Sequence, residues 1–280
     1  VFKRQTTGSV ICTSCGTLVG VNDAVCYNCN RRNPGLWGFA PAFRRLGQDL
    51  GFVPLVMGGT IVLYVLSLLV DVAGMRPILA PSSMAIRLLG ASGSYPVFVE
   101  GRWWTVLTAG WLHGGLLHIV LNMLWIRQLA PAVAELYGPG RMVIIYTLAG
   151  VVGFTFTSVA GRYIGFLPII GGAQLSLGAS APIFGLLGAL VYYGNRTGSR
   201  HVREAGLQYA LMMGIFGLIM PGIDNQAHLG GFVGGYVAGL LLDPLKPERV
   251  DHLVGGAACL LITLVAVVAS FITALPLLLN

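Results

Sequence analysis

An all-α membrane protein with a small metal-binding unit at its N-terminus is the fold this sequence predicts. Three observations carry that prediction. The 280-residue chain is 55% hydrophobic and only 10% charged, a balance beyond what one soluble core needs. Its apolar residues gather into runs near the ~20 residues a helix needs to cross the hydrocarbon core. Four of its cysteines form two Cys-x2-Cys hooks, Cys12/Cys15 and Cys26/Cys29.

The hooks define a first unit, residues 1–35. So short a segment cannot bury a core of its own, so a metal would supply its folding free energy. Hooks this close predict a cytoplasmic zinc-ribbon, with Zn2+ as a structural ion on the four thiolates. The competing arrangement, two disulfides, needs an oxidising compartment. Cys259 lies in a late apolar run and reads as a small buried hydrophobe. The first fifty residues are polar and hold no apolar stretch of the kind a cleaved leader carries. Residues 36–50 read as a linker or interfacial segment, where Trp37, Phe39 and Phe43 precede Arg44 and Arg45.

Seven apolar spans follow, at about 52–70, 113–130, 141–160, 178–195, 203–220, 226–242 and 254–275. The first six make a core over 51–245, and the last occupies a C-terminal unit, 246–280. Basic residues sit between the spans. With the N-terminus in the cytoplasm, only Arg76, Arg87, Arg102 and Arg162 of the 17 Lys and Arg fall outside, which sets the orientation and leaves the C-terminus outside. The net charge of +7 is thereby explained by the bilayer, and no nucleic-acid partner is expected. The segment 71–112 is too long for a simple connector. With Pro77, Pro81, Pro96, Trp103, Trp104 and Trp111 it is expected to lie in the interface beside the bundle.

The chemistry gathers at the outer ends of three spans. Gly178, Ala181, Gly185 and Gly188 form a small-residue stripe, so a neighbouring helix backbone can come close. Ser180 opens that helix. The matching face is His228, Gly231 and Gly235 on the sixth span. A serine and a histidine on closely packed helices make a candidate nucleophile and base. A membrane serine alone more often bonds a backbone carbonyl, but a histidine inside an apolar segment is a functional candidate by default. His118 and Asn122 share a face of the second span and are placed to donate to a developing oxyanion. His113 lies ahead of that helix and reads as a loop-stabilising donor. Phe184, one turn after Ser180, is placed to stack on His228; plain packing is its bland alternative. Asp224, one turn before His228, is read as a helix cap in preference to a third triad member.

The combination of His113-x4-His118-x3-Asn122, Gly178-x-Ser180 and Ala227-His228-x2-Gly231-x3-Gly235 resembles the rhomboid intramembrane serine proteases over about residues 50–245. The resemblance implies a six-helix bundle with Ser180 as nucleophile, His228 as general base, no required acid, and an oxyanion hole helped by His118 and Asn122. It implies substrates that are single-span or other membrane proteins, cut near the outer end of their helix. The seventh span would be an addition to that core. The chain departs from the family pattern in three places. Trp104-Thr105 stands where Trp-Arg is common, with Arg102 displaced; Phe184 stands where Tyr is common; and Glu135 is the candidate for a family glutamate. The fifth helix and loop 220–225, with Pro221 and Gly222, are expected as moving parts.

Two other classes compete. An inactive rhomboid-like protein that binds membrane clients would be favoured by loss of the serine or histidine, and both are present. A transporter with an intramembrane histidine would show broken helices in matching halves, and no internal repeat is visible. Membrane-protein substrates and the lipid bilayer are the expected partners, and a cytoplasmic partner of the ribbon is a further expectation. If the source is bacterial, the plasma membrane is the expected location.

Overall fold

The computed structural model describes residues 3–44, 47–70, 79–167 and 170–279. Arg45, Arg76 and Pro77, named above, lie outside the described residues.

The N-terminal unit is a two-stranded antiparallel ribbon. Strands β1 (Ser9–Ile11) and β2 (Leu18–Gly20) pair Val10 with Val19. Val10, Val19 and Val21 pack with Cys12 and Cys26 into a core of only a few side chains, too small to fold on burial alone. After a 3₁₀ turn, Leu36–Gly38, a short helix α1 (Ala40–Arg44) leads towards the bundle.

Helix α2 (Phe52–Leu69) begins where Asp49 Oδ2 accepts the Val53 N–H at 2.6 Å, satisfying one of the orphan donors of a helix start. The described part of segment 71–112 is not a plain loop. It folds into α3 (Ser83–Leu88), α4 (Ser94–Phe98), α5 (Thr105–Thr108) and a 3₁₀ turn, Ala109–Trp111. It has a packed interior: Leu89, Ala91 and Leu112 are fully buried against Leu63 of α2.

Helix α6 spans Leu116–Tyr137 and contains Pro131. The expected span, 113–130, therefore starts too early and stops too soon. Gly114 and Gly115 lie outside the helix, and Pro131 does not end it. A proline inside a helix costs a hydrogen bond, but Val133, Ala134 and Tyr137 beyond it are buried in the main core, and that packing carries the helix on. Helix α7 (Pro139–Tyr163) opens on a proline, as a first helical turn tolerates. Helix α8 (Ser180–Thr197) ends at Gly198 with φ 75°, a left-handed stop that favours glycine. Helix α9 (Arg200–Ile219), α10 (Asn225–Leu241) and α11 (Val250–Leu279) complete the chain. The last is longer at both ends than the expected 254–275.

Four of these helices, α2, α6, α7 and α11, are long and apolar enough to cross a membrane. Helices α8, α9 and α10 fall short of that measure, and α8 does so although it lies at the centre. Its neighbours are protein, with Ile183, Leu186, Leu187 and Ala189 wholly buried among other helices. A helix so enclosed needs small, well-packed residues more than an apolar outer face. The opposite case is α11, on which Leu261, Ile262 and Val265 are exposed.

The small-residue stripes meet as expected. A Cβ at Gly235 would run into the carbonyl oxygen of Gly185, and one at Gly231 into that of Ala181. Helices α8 and α10 therefore touch backbone to backbone.

At the end of the bundle remote from Ser180, the ribbon is tied down. Arg31 is buried and its Nη1 donates to Glu248 O at 3.2 Å. The Glu248 carboxylate accepts the Arg141 N–H at the start of α7; burial pushes that carboxyl above the usual range. The Arg141 guanidinium donates to Lys246 O and Pro247 O. Glu135, the candidate family glutamate, is exposed, whereas Glu248 is buried.

Candidate active site

Ser180 is the first residue of α8, so its backbone N–H is one of the helix-start donors without a partner within the helix. Two features aim it. Gly178 N–H donates to Ala109 O at 2.9 Å, and Ala179 N–H donates to His113 Nε2 at 3.5 Å. His113 is thus an acceptor at that nitrogen, not the donor expected from its position. The amide it receives immediately precedes Ser180. Gly178 has φ 122°, and a Cβ there would press on the His118 ring at 2.6 Å from Nε2. Backbone conformation and space both demand glycine.

His228 lies on the first turn of α10, 8% exposed. Its Nε2 is 2.8 Å from Ser180 Oγ. The Phe184 ring stacks on the imidazole, with centroids 4.3 Å apart and planes at 14°. Of the two arrangements open to Phe184, stacking is the one found. Asp224 does not approach the imidazole as a partner: its Oδ1 accepts the Ala227 N–H at 3.0 Å as the cap of α10. Among the described residues His228 Nδ1 has no hydrogen-bond partner.

His118 and Asn122 border the same space. His118 Nδ1 accepts the Gly114 N–H at 3.4 Å, so a neutral His118 carries its proton on Nε2. Asn122 Nδ2 donates one proton to His118 O at 2.9 Å and keeps the second for another acceptor. Ser180, His228, His118 and Asn122 all line one cavity of about 1340 Å³, together with Met212 and Phe216 of α9 and with Pro221 and Gly222.

The loop ahead of α6 supports this site through contacts that motif spacing did not reveal. Ser92 and Ser176 exchange backbone hydrogen bonds at 2.9 and 2.7 Å. Arg102, displaced from the common position, does the bonding of that loop: Nη1 donates to Arg87 O at 2.7 Å and Nη2 to Leu88 O at 2.9 Å. A cation at the last carbonyls of α3 suits the helix dipole.

A rhomboid-domain family model matches residues 100–244. The chain belongs to the rhomboid family. It is 35% identical over 149 residues to "Rhomboid protease GluP" of Bacillus subtilis, covering 52% of this chain and 27% of that protein. It is 29% identical over 175 residues to "RHOMBOID-like protein 4" of Arabidopsis thaliana, covering 60% and 41%. It is also 28% identical over 163 residues to "Inactive RHOMBOID-like protein 8" of the same plant, covering 56% and 43%. The chain thus spans from about a quarter to under half the length of these curated relatives. Family and apolar helices together make this rhomboid an integral membrane protein.

The second cluster of chemistry is in the ribbon. Ligand atoms of Cys12, Cys15, Cys26 and Cys29 lie within 4.8 Å of one another. Cys12 Sγ and Cys29 Sγ are 3.7 Å apart, and Cys15 Sγ and Cys26 Sγ 3.6 Å. A tetrahedron of Zn–S bonds has an edge of about 3.8 Å, whereas a disulfide needs about 2.0 Å. The four thiols fit a shared metal ion. Cys259 is half-buried beside the main core.

Proposed function

We propose that this rhomboid is an intramembrane serine endopeptidase that cleaves other membrane proteins near the outer end of a transmembrane segment. The observation that carries the reading is the 2.8 Å contact between Ser180 Oγ and His228 Nε2 inside a cavity lined by hydrogen-bond donors. His228 Nε2 takes the proton as Ser180 Oγ attacks the scissile carbonyl carbon, then gives it to the leaving amine nitrogen. A water repeats the sequence on the acyl-enzyme, and the serine leaves with the proton. The tetrahedral oxyanion is met by the Ser180 N–H, the His118 Nε2–H and the free Asn122 Nδ2–H, each such donor worth on the order of 3–4 kcal/mol of barrier. With no partner on Nδ1 among the described residues, the charge formed on His228 is eased by the stacked face of Phe184.

The proposal includes the placement. Residues 51–245 form the catalytic unit of six spans, 246–280 add the seventh, and 36–50 link both to the ribbon of 1–35. The basic residues put the ribbon in the cytoplasm and the Ser180 end outside, where water reaches it. The test is cleavage of a single-span reporter in liposomes by the purified protein. Cleavage near the outer end of the reporter helix is expected; an intact reporter beside folded enzyme, across a panel of unrelated helices, would count against it. Binding of clients without cleavage is the second reading. It draws support from the 28% identity to a relative named inactive, and the paired serine and histidine weigh against it.

We also assign Zn2+ to Cys12, Cys15, Cys26 and Cys29 as a structural ion. The ion would cross-link the two hooks and supply the folding free energy that the small core of the ribbon lacks. A strong chelator is expected to release about one zinc per chain and to expose residues 3–35 to protease. Protein that carries no metal yet resists cleavage there would refute the assignment.

A further inference from the structure

The seventh helix looks at first like an accessory anchor, but one face of it is not apolar packing alone. Thr263, Ala266, Ser270 and Ala274 fall on one side of α11, and all are buried. Ser270 is wholly buried and makes specific polar contacts with the loop ahead of α6. Its Oγ accepts the Trp104 Nε1–H at 3.1 Å, and its carbonyl oxygen lies 3.5 Å from Arg102 Nη2. Gly90 packs directly on it: a Cβ there would sit 2.7 Å from Ser270 Oγ.

The loop so held is the one that holds Ser180. Arg102 fixes the carbonyls of Arg87 and Leu88. Thr105 Oγ1 reaches Ser92 Oγ at 3.3 Å, and Ser92 is bridged to Ser176 through both backbone hydrogen bonds. Four residues on from Thr105, directly after α5, Ala109 O receives the Gly178 N–H. Every link from Ser270 to the start of α8 is a buried or partly buried hydrogen bond or a close backbone contact.

We propose that α11 is a working part of the catalytic unit, with Ser270 as a positioning residue that clamps the 87–108 loop and, through it, the backbone that presents Ser180. This rests on the reading of Ser180 as nucleophile. Among the described residues, none of α11 lines the cavity, so the clamp acts on the alignment of the attacking atom and not on substrate binding. A 1 Å displacement of a reacting group is enough to slow chemistry heavily.

The experiment uses the full chain in detergent. The rate of labelling by a fluorophosphonate probe is measured per folded molecule for wild type, Ser270→Ala, Trp104→Phe and the double variant, with kcat and KM on a cleavable reporter. Ser270→Ala leaves the indole N–H without its acceptor and is expected to slow labelling about tenfold, and Trp104→Phe, which leaves only a hydroxyl free to turn, about threefold. The double variant is expected to return to the Trp104→Phe rate, because both partners are then gone. The loss falls on kcat, with KM unchanged. Wild-type labelling by Ser270→Ala, or a loss explained wholly by its unfolded fraction, would overturn the clamp while leaving Ser180 as nucleophile. If Ser270→Ala does not fold, Trp104→Phe decides, and a wild-type rate in that variant overturns the proposal. Folded wild-type protein that takes up no probe would instead remove the Ser180 reading, and the clamp with it.

Discussion

Replacing Ser180 by alanine is expected to abolish probe labelling and peptide cleavage together, and His228→Ala to lower both by about 10⁶-fold. The expectation follows from the geometry of one contact. The Oγ···Nε2 distance of 2.8 Å lets a single proton move between the two atoms without rearrangement. Without Ser180 there is no atom to acylate. Without His228 the hydroxyl keeps its proton, and a bare serine hydroxyl is a weak nucleophile. The two losses should not add: a double variant should be no worse than Ser180→Ala alone, because residues that act as a unit fail as a unit. Reporter cleavage in liposomes checks this, with folding followed by thermal melting. A His228→Ala variant that retains most of its activity would mean that another group takes the proton.

The second large effect is mechanical. Gly235→Val is expected to destabilise the bundle by about 3 kcal/mol or more, because its Cβ would enter the Gly185 carbonyl oxygen. Backbone, unlike the end of a flexible side chain, cannot step aside. To relieve the clash, α10 must move away from α8, and His228 travels with it. A shift of about 1 Å is expected to cost about 10² in labelling rate in whatever protein remains folded. The control is Gly214→Ala on α9, where nothing lies within 4 Å of the added carbon. There alanine should be neutral or mildly stabilising, since glycine costs a helix about 1 kcal/mol. Melting temperature and labelling rate, measured on both variants, check the contrast. Equal behaviour of the two would show that the α8–α10 contact is not tight.

The site was legible in the sequence where its parts are set by helical spacing. Ser180 with Gly185 and Gly188, His228 with Gly231 and Gly235, and His118 with Asn122 each lie on a single helix, and period alone places them on shared faces. The cysteine hooks were legible for the same reason, since each hook is local. What could not be read depends on contacts between distant segments. Ser270 lies 166 residues from Trp104, and Arg31 lies 217 from Glu248; no pattern within either segment announces its partner. Arg102 shows the point well. Spacing marked it only as out of place, and the structure has it holding the carbonyls of α3. The span boundaries around Pro131 failed because tertiary packing of Val133, Ala134 and Tyr137 outweighed a local breaker. Helix α8 was readable as a helix, but its burial within protein on all sides came only with the packing of its neighbours.

The most direct test of the central claim is to find where a fluorophosphonate binds. Folded wild-type protein would be treated with the probe, digested, and read by mass spectrometry. The account predicts one covalent adduct, on Ser180, and none in His228→Ala. An adduct on a different serine, or no adduct in protein shown to be folded, would contradict it.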